Sequence, residues 1–247
     1  MERSQNNYLN WLLLGLMVCL FTPVSGQKLE TYQCRFFNSY LKGDMSNWMD
    51  WIQEIEHDHP NEQDWGILAL QARYGLIGYY FGTGQKELIK DVLQDGDNRL
   101  DSYLEQAPNN ARLLSLKAAF DSFKIGLAMY KAPFLGPKVV GSIRQAMEGD
   151  PNEPMAWLEE GNALYNRPAL FGGDKKQAIA AYRKAQRLFE QSAEVCNYLK
   201  VLVEVFILKG YYETNQHTLY LESRQRLERL YGELNWVDDF LVSKIVD

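Results

Sequence analysis

The residue types that most often do chemistry are sparse in this chain, and each place where they gather fails on spacing. Glu54–Glu62, EIEHDHPNE, sets two histidines among carboxylates, the side chains that ligate zinc. His57 and His59 are two residues apart, so on a helix they diverge by about 200°, and no third ligand is placed beside them. The stretch reads as a solvated helix end, and no metal or other cofactor is expected. GYYFGTGQK, residues 78–86, resembles a phosphate loop only in its glycines: Gln85 separates Gly84 from Lys86, and Glu87 stands where a hydroxyl residue is needed. No Gly-x-Ser-x-Gly elbow occurs, and the third histidine, His217, is isolated. Carboxylate pairs such as Asp238–Asp239 or Asp95 with Asp97 read as surface charge on an acidic helical protein. The chain is therefore expected not to be an enzyme.

Three other stretches share a composition that suits binding. YYFGTGQKE (79–87), APFLGPKVV (132–140) and RPALFGGDKK (167–176) each carry an aromatic residue at or near glycine, followed by lysine. In one reading Phe81, Phe134 and Phe171 fold back to plug gaps between helices, and this is the favoured one because exposed aromatics are unusual. In the other, these rings with Lys86, Lys138 and Lys175 form a line that grips an extended partner.

The elements that must position them follow from a repeated turn. DHPNEQDWG (58–66), APNNARLLS (107–115) and DPNEPMAWL (150–158) place proline at 60, 108 and 151, 48 and 43 residues apart. Before each proline runs an apolar helical face: Trp48, Trp51, Ile52 and Ile55; Leu100, Tyr103 and Leu104; Val139, Ile143, Ala146 and Met147. Proline ends one helix and pre-sets the backbone angle of the next, while Asn61, Asn109 and Asn152 are placed to cap it. After the turns come second periodic segments, with Trp65, Leu68, Ala69 and Ala72 in the first unit and Leu113, Leu116 and Phe120 in the next.

In the third unit Trp157, Gly161, Ala178, Tyr182 and Ala185 resemble the tetratricopeptide repeat, whose Trp-x-x-Leu-Gly-x-x-Tyr helix packs on an Ala-x3-Phe-x2-Ala helix; Glu160 stands where leucine is usual. The family unit is about 34 residues, so the longer spacing here implies insertions within each unit. The resemblance implies an all-α solenoid of about five antiparallel helix pairs: 29–42 with 45–58, 62–80 with 86–106, 110–131 with 138–148, 153–166 with 174–190, and 192–209 with 213–232. Trp65, Ala69, Trp157, Gly161, Ala178, Tyr182 and Ala185 would pack the repeats. The three insertions would emerge on one edge, and a concave face would present Arg73, Tyr74, Asn162, Tyr165 and Asn166. Val195, Leu199, Leu202, Val203 and Phe206 of the last first-helix should be buried, and Trp236–Val246 should cap the final pair. Linear stacking would hold Cys34 and Cys196 four steps of about 10 Å apart, beyond the 7 Å limit for a bridge, so two buried free thiols are expected.

The first 26 residues read as a cleaved export signal: Arg3, an apolar core from Trp11 to Phe21, and small residues at Val24-Ser25-Gly26. Eleven apolar residues reach only about 16 Å as a helix, short of a bilayer core, so no membrane-spanning segment is expected after cleavage. Lipidation at Cys19 is disfavoured because Val18 precedes it. The mature domain, 27–247, would be periplasmic or secreted. Its charge of −6 without a basic run excludes nucleic acid as an expected partner. The resemblance implies a non-catalytic scaffold that binds a protein or peptide in the cell envelope. The alternatives are an obligate structural subunit of an envelope complex and a small-ligand-binding helical protein or enzyme.

Overall fold

The computed structural model describes the backbone of residues 24–242 and the side chains of residues 28–242. Most of the expected leader, Cys19 and the end of the expected cap lie outside the described residues. Among the described residues the protein is all α-helical, with eleven α-helices and no strand. They are α1 (Val24–Leu41), α2 (Trp48–Asp58), α3 (Gln63–Gly82), α4 (Lys86–Gln106), α5 (Ala111–Leu127), α6 (Ala132–Gly149), α7 (Pro154–Asn166), α8 (Lys175–Gln191), α9 (Tyr198–Glu213), α10 (His217–Tyr231) and α11 (Trp236–Val242). None of them is long and apolar enough to cross a membrane.

Helices α3–α4, α5–α6, α7–α8 and α9–α10 pack as consecutive pairs, and α3, α5 and α7 lie side by side. In the first pair, Phe36 of α1 meets Trp48 and Trp51 of α2 edge-on, at 5.0 and 5.6 Å between ring centroids. The Pro-Asn turns do stop one helix and start the next, but their caps sit one residue later than expected. Asn110 accepts from the Leu113 amide and Glu153 from the Met155 amide, whereas α3 starts after Glu62 with no side-chain cap. In the third helix pair the insertion is shorter than its sequence suggests: a 3-10 turn, Met129–Lys131, leads directly into α6. Pro133 lies in its first turn, where the missing amide costs nothing, and Pro137 lies on its exposed side.

Close approach within a pair depends on small residues. A β-carbon on Gly161 would lie 2.3 Å from the Tyr182 ring, so only glycine admits that ring at the α7–α8 crossing. Ala178 and Ala185, both inaccessible, line the same crossing. Trp65 and Ala69 are buried in α3, while Trp157 is half-buried and donates its indole N–H to the Pro151 carbonyl at 2.9 Å.

The array does not stay open. Every residue of α3 from Leu68 to Ile77 is buried, and α9 is enclosed almost as fully, which a helix with only one packed face would not be. The reason is that α9 turns back onto the start of the chain and packs against α1. The Tyr198 ring lies 5.1 Å from both Tyr40, tilted, and Trp48, edge-on. At this seam Cys34 and Cys196 form a disulfide, with Cα atoms 4.8 Å apart. The expectation of two free thiols is thus overturned: it assumed linear stacking, and the fifth pair instead meets the first. Residues 192–197 form bends leading into α9 and bring Cys196 to Cys34, so Val195, expected in the core, is exposed. Leu199 and Val203 are buried as expected, and Leu202 and Phe206 are half-buried against the same core. Val237 and Leu241 of α11 are buried in the same core, and Trp236 beside them meets Tyr40 of α1 edge-on at 5.1 Å.

Candidate functional site

Curling back fills the face on which a partner was expected. Arg73, expected there, is buried and bridges the carboxylates of Glu56 and Asp95, with Arg99 joining the same two acids at 3.1 and 3.2 Å. Tyr74 and Asn162 are drawn into an internal network with Glu159. The Asn162 amide donates to Glu159 Oε1 at 3.0 Å and to Tyr74 Oη at 3.2 Å, and the Tyr182 hydroxyl donates to Asn162 Oδ1 at 2.9 Å. Burial of Glu159 raises its carboxyl from 4.5 to about 8, against the opposing hydrogen bonds from Tyr74 and Asn162. Tyr165 is half-buried beneath the Lys175 ammonium, 5.2 Å from its ring, and Asn166 is exposed, its amide donating to the Asn162 carbonyl at 2.9 Å. The five residues therefore do not form an open concave surface; four of them serve the interior.

The insertion edge is different. Phe81 behaves as a plug: it is half-buried, packs on the core and meets Phe123 at 5.8 Å. Phe134 and Phe171 do not plug anything. They are 76% and 70% exposed, and beside them stand Met129, Tyr130 and Leu170 at 67%, 77% and 88%. Both segments connect a first helix to its second at the same end of neighbouring pairs, so these five apolar side chains share one edge, about 10 Å from pair to pair. Such clustering is unusual on a water-exposed surface, where apolar side chains are normally scattered. Gly172, at φ 87°, ends the 3-10 turn that presents Leu170 and Phe171. Asp174 then caps α8 by accepting from the amides of Lys176 and Gln177 at 2.8 and 3.1 Å.

Sequence reading found Phe134 and Phe171 but missed Met129, Tyr130 and Leu170. The first two fell in a segment assigned to the end of a helix. Their signal was an apolar pair three to four residues ahead of Pro133, which lies in the first turn of the next helix.

Lys86 and Lys138 are exposed, and neither forms an ion pair among the described residues. Lys175 is held instead by Glu213 at 2.7 Å.

At the opposite edge the second and third Pro-Asn turns line an open cleft of about 400 Å³, floored by Asp64, Ile67, Leu68 and Gln71 of α3. Its one guanidinium, Arg112, is committed to Glu153, with both carboxylate oxygens at 3.1 Å from Nε, and to Glu194 at 3.1 Å. This triad ties the starts of α5, α7 and α9 together. The histidines expected to be solvated lie nearby: His57 stands 2.9 Å from Asp58, and His59 stacks flat on Trp65 at 3.7 Å.

No family model and no curated protein matches the chain. Among solved structures it is similar to the HusA haemophore from Porphyromonas gingivalis, with a TM-score of 0.60 and 13% sequence identity, over 74% of this chain and 93% of that one. At that identity the likeness is one of helical fold.

Proposed function

We propose that this chain is an exported, non-catalytic binding protein of tetratricopeptide-like design, and that it holds an apolar segment of another envelope protein on its insertion edge. The observation that carries this reading is the cluster of Met129, Tyr130, Phe134, Leu170 and Phe171, large apolar side chains left in water on two adjacent connections. Five such side chains offer the apolar centre that a protein interface needs. The packed interior argues against a groove-binding adaptor, because Arg73, Tyr74 and Asn162 are already engaged.

A second reading has its own support. The fold is similar to that of a haemophore, and a flat apolar macrocycle with carboxylate tails would also suit exposed aromatic rings beside lysines. One experiment separates the two. The mature chain and a Phe134→Ala/Leu170→Ala/Phe171→Ala variant are tagged, cross-linked in envelope fractions and titrated with haemin. Capture of one defined protein by the native chain and not by the variant supports the first reading. A saturable haemin spectrum, lost in the variant, with no captured protein supports the second. Equal behaviour of both chains in both assays removes the edge as a binding site.

A further inference from the structure

The insertion edge carries a charge signature that its apolar residues do not require. Lys86, Lys131, Lys138, Arg167 and Lys176 all lie on it, and none of them forms an ion pair among the described residues. Three acids at this end of the helices are already engaged. Glu87 faces Lys90 at 3.7 Å, Asp174 spends its carboxylate on the first amides of α8, and Glu213 is bound by Lys175 at 2.7 Å. Burial works to raise the Glu213 carboxyl, but its contacts with Lys175 and Tyr165 hold it below the ordinary carboxylate value, so it stays charged and committed. The cleft at the turn edge has the opposite balance, with Asp64, Asp150, Glu153 and Glu194 and one lining cation, Arg112. A protein of net charge −6 thus exposes an excess of positive charge beside its exposed apolar cluster.

We propose that the edge selects an acidic amphipathic polypeptide segment, whose apolar side chains cover Phe134, Leu170 and Phe171 while its carboxylates meet Lys131 and Lys138. The inference rests on the edge being the binding surface and adds the chemistry of the partner. Apolar cover alone would accept any greasy segment. Free cations at the rim reward carboxylates, speed their approach and penalise basic competitors. A polypeptide fits better than a small dianion because the cations are spread over three connections, from Lys86 to Lys176, and pairs of helices repeat at about 10 Å.

The test uses the full mature chain and two labelled peptides of about twelve residues, long enough as extended strands to cross the edge, one alternating Leu and Phe with Glu and the other with Lys. The Glu peptide should bind, the Lys peptide at least about tenfold more weakly, and Lys131→Glu/Lys138→Glu should cost the Glu peptide about tenfold. Its binding should also weaken as salt rises from about 0.05 to about 0.5 M. If both peptides bind alike, or the charge-reversed variant binds unchanged while Phe134→Ala/Leu170→Ala/Phe171→Ala does not, the edge remains a binding surface and the charge selection is wrong. If the triple alanine variant binds as well as the native chain, the edge itself is the wrong surface. Failure of both peptides alongside saturable haemin binding that Lys131→Glu/Lys138→Glu weakens would replace the polypeptide with a small dianion. Thermal melts of each variant, which alter only exposed or half-exposed side chains, confirm that the fold is retained.

Discussion

The Tyr198 hydroxyl donates to the main-chain carbonyl of Gln71 at 2.5 Å, joining α9 to α3 across 127 residues. That carbonyl lies in the buried stretch of α3, Leu68–Ile77, and the same tyrosine ring packs on Tyr40 and Trp48. Tyr198→Phe keeps the ring and removes the bond, leaving a buried acceptor short of one donor. A loss of about 1–2 kcal/mol in urea unfolding is expected. An unchanged midpoint would show that the seam is held by ring packing alone.

The disulfide should act on the same seam from outside. Cys34 and Cys196 close 162 residues of chain, and restricting so long a loop in the unfolded state stabilises the native one by on the order of 3–5 kcal/mol. Reduction, or Cys34→Ser with Cys196→Ser, should lower the melting temperature by several degrees and make the melt indifferent to reductant. A native chain that melts alike with and without reductant would show that the bridge contributes nothing to stability.

Glu159 gives the interior a pH dependence of defined sign. Its folded value, raised by burial from 4.5 to about 8, means the native state holds a proton that the unfolded chain releases. This contribution to stability is complete below about 4.5, is lost as pH rises through about 8, and is level beyond. Between those limits the change is on the order of a few kcal/mol. Glu159→Gln, which keeps the shape and most hydrogen bonds, should flatten the decline in melting temperature between about pH 5 and 8. If the glutamine variant declines as steeply as the native chain, the dependence arises elsewhere.

The three insertion phenylalanines should separate cleanly. Phe81→Ala opens space beside Phe123 and should cost about 1–3 kcal/mol. Phe134→Ala and Phe171→Ala remove side chains already in water and should stay within about 0.5 kcal/mol of the native stability. Equal losses at all three positions would mean that the exposed pair is covered in solution by the chain itself or by a second copy.

Local pattern was enough for the helices. Trp48, Ile52 and Ile55 at one helical spacing, a proline after them and a polar residue near the next start define α2 and the turn into α3 without reference to anything distant. The Gly161–Tyr182 crossing was legible for the same reason, since it joins successive helices and needs one residue with no side chain. Caps were placed one residue early, because Asn109 and Asn110 are alike in type and only the backbone angles at the turn choose between them.

What local pattern lacks is the curvature of the whole array. Each pair adds a small rotation, and the sum over five pairs decides whether α9 faces solvent or meets α1. That sum is a tertiary quantity, spread over every interface, and no short window of residues contains it. It turned Cys34 and Cys196 from distant thiols into a bridge, and it turned Arg73, Tyr74 and Asn162 from surface candidates into interior groups. It had less hold on the insertions, which project from the ends of the helices and keep their character wherever the helices go. Composition therefore identified Phe134 and Phe171 as special, but only the packing around them, present at Phe81 and missing at the other two, decided which rings were left in water.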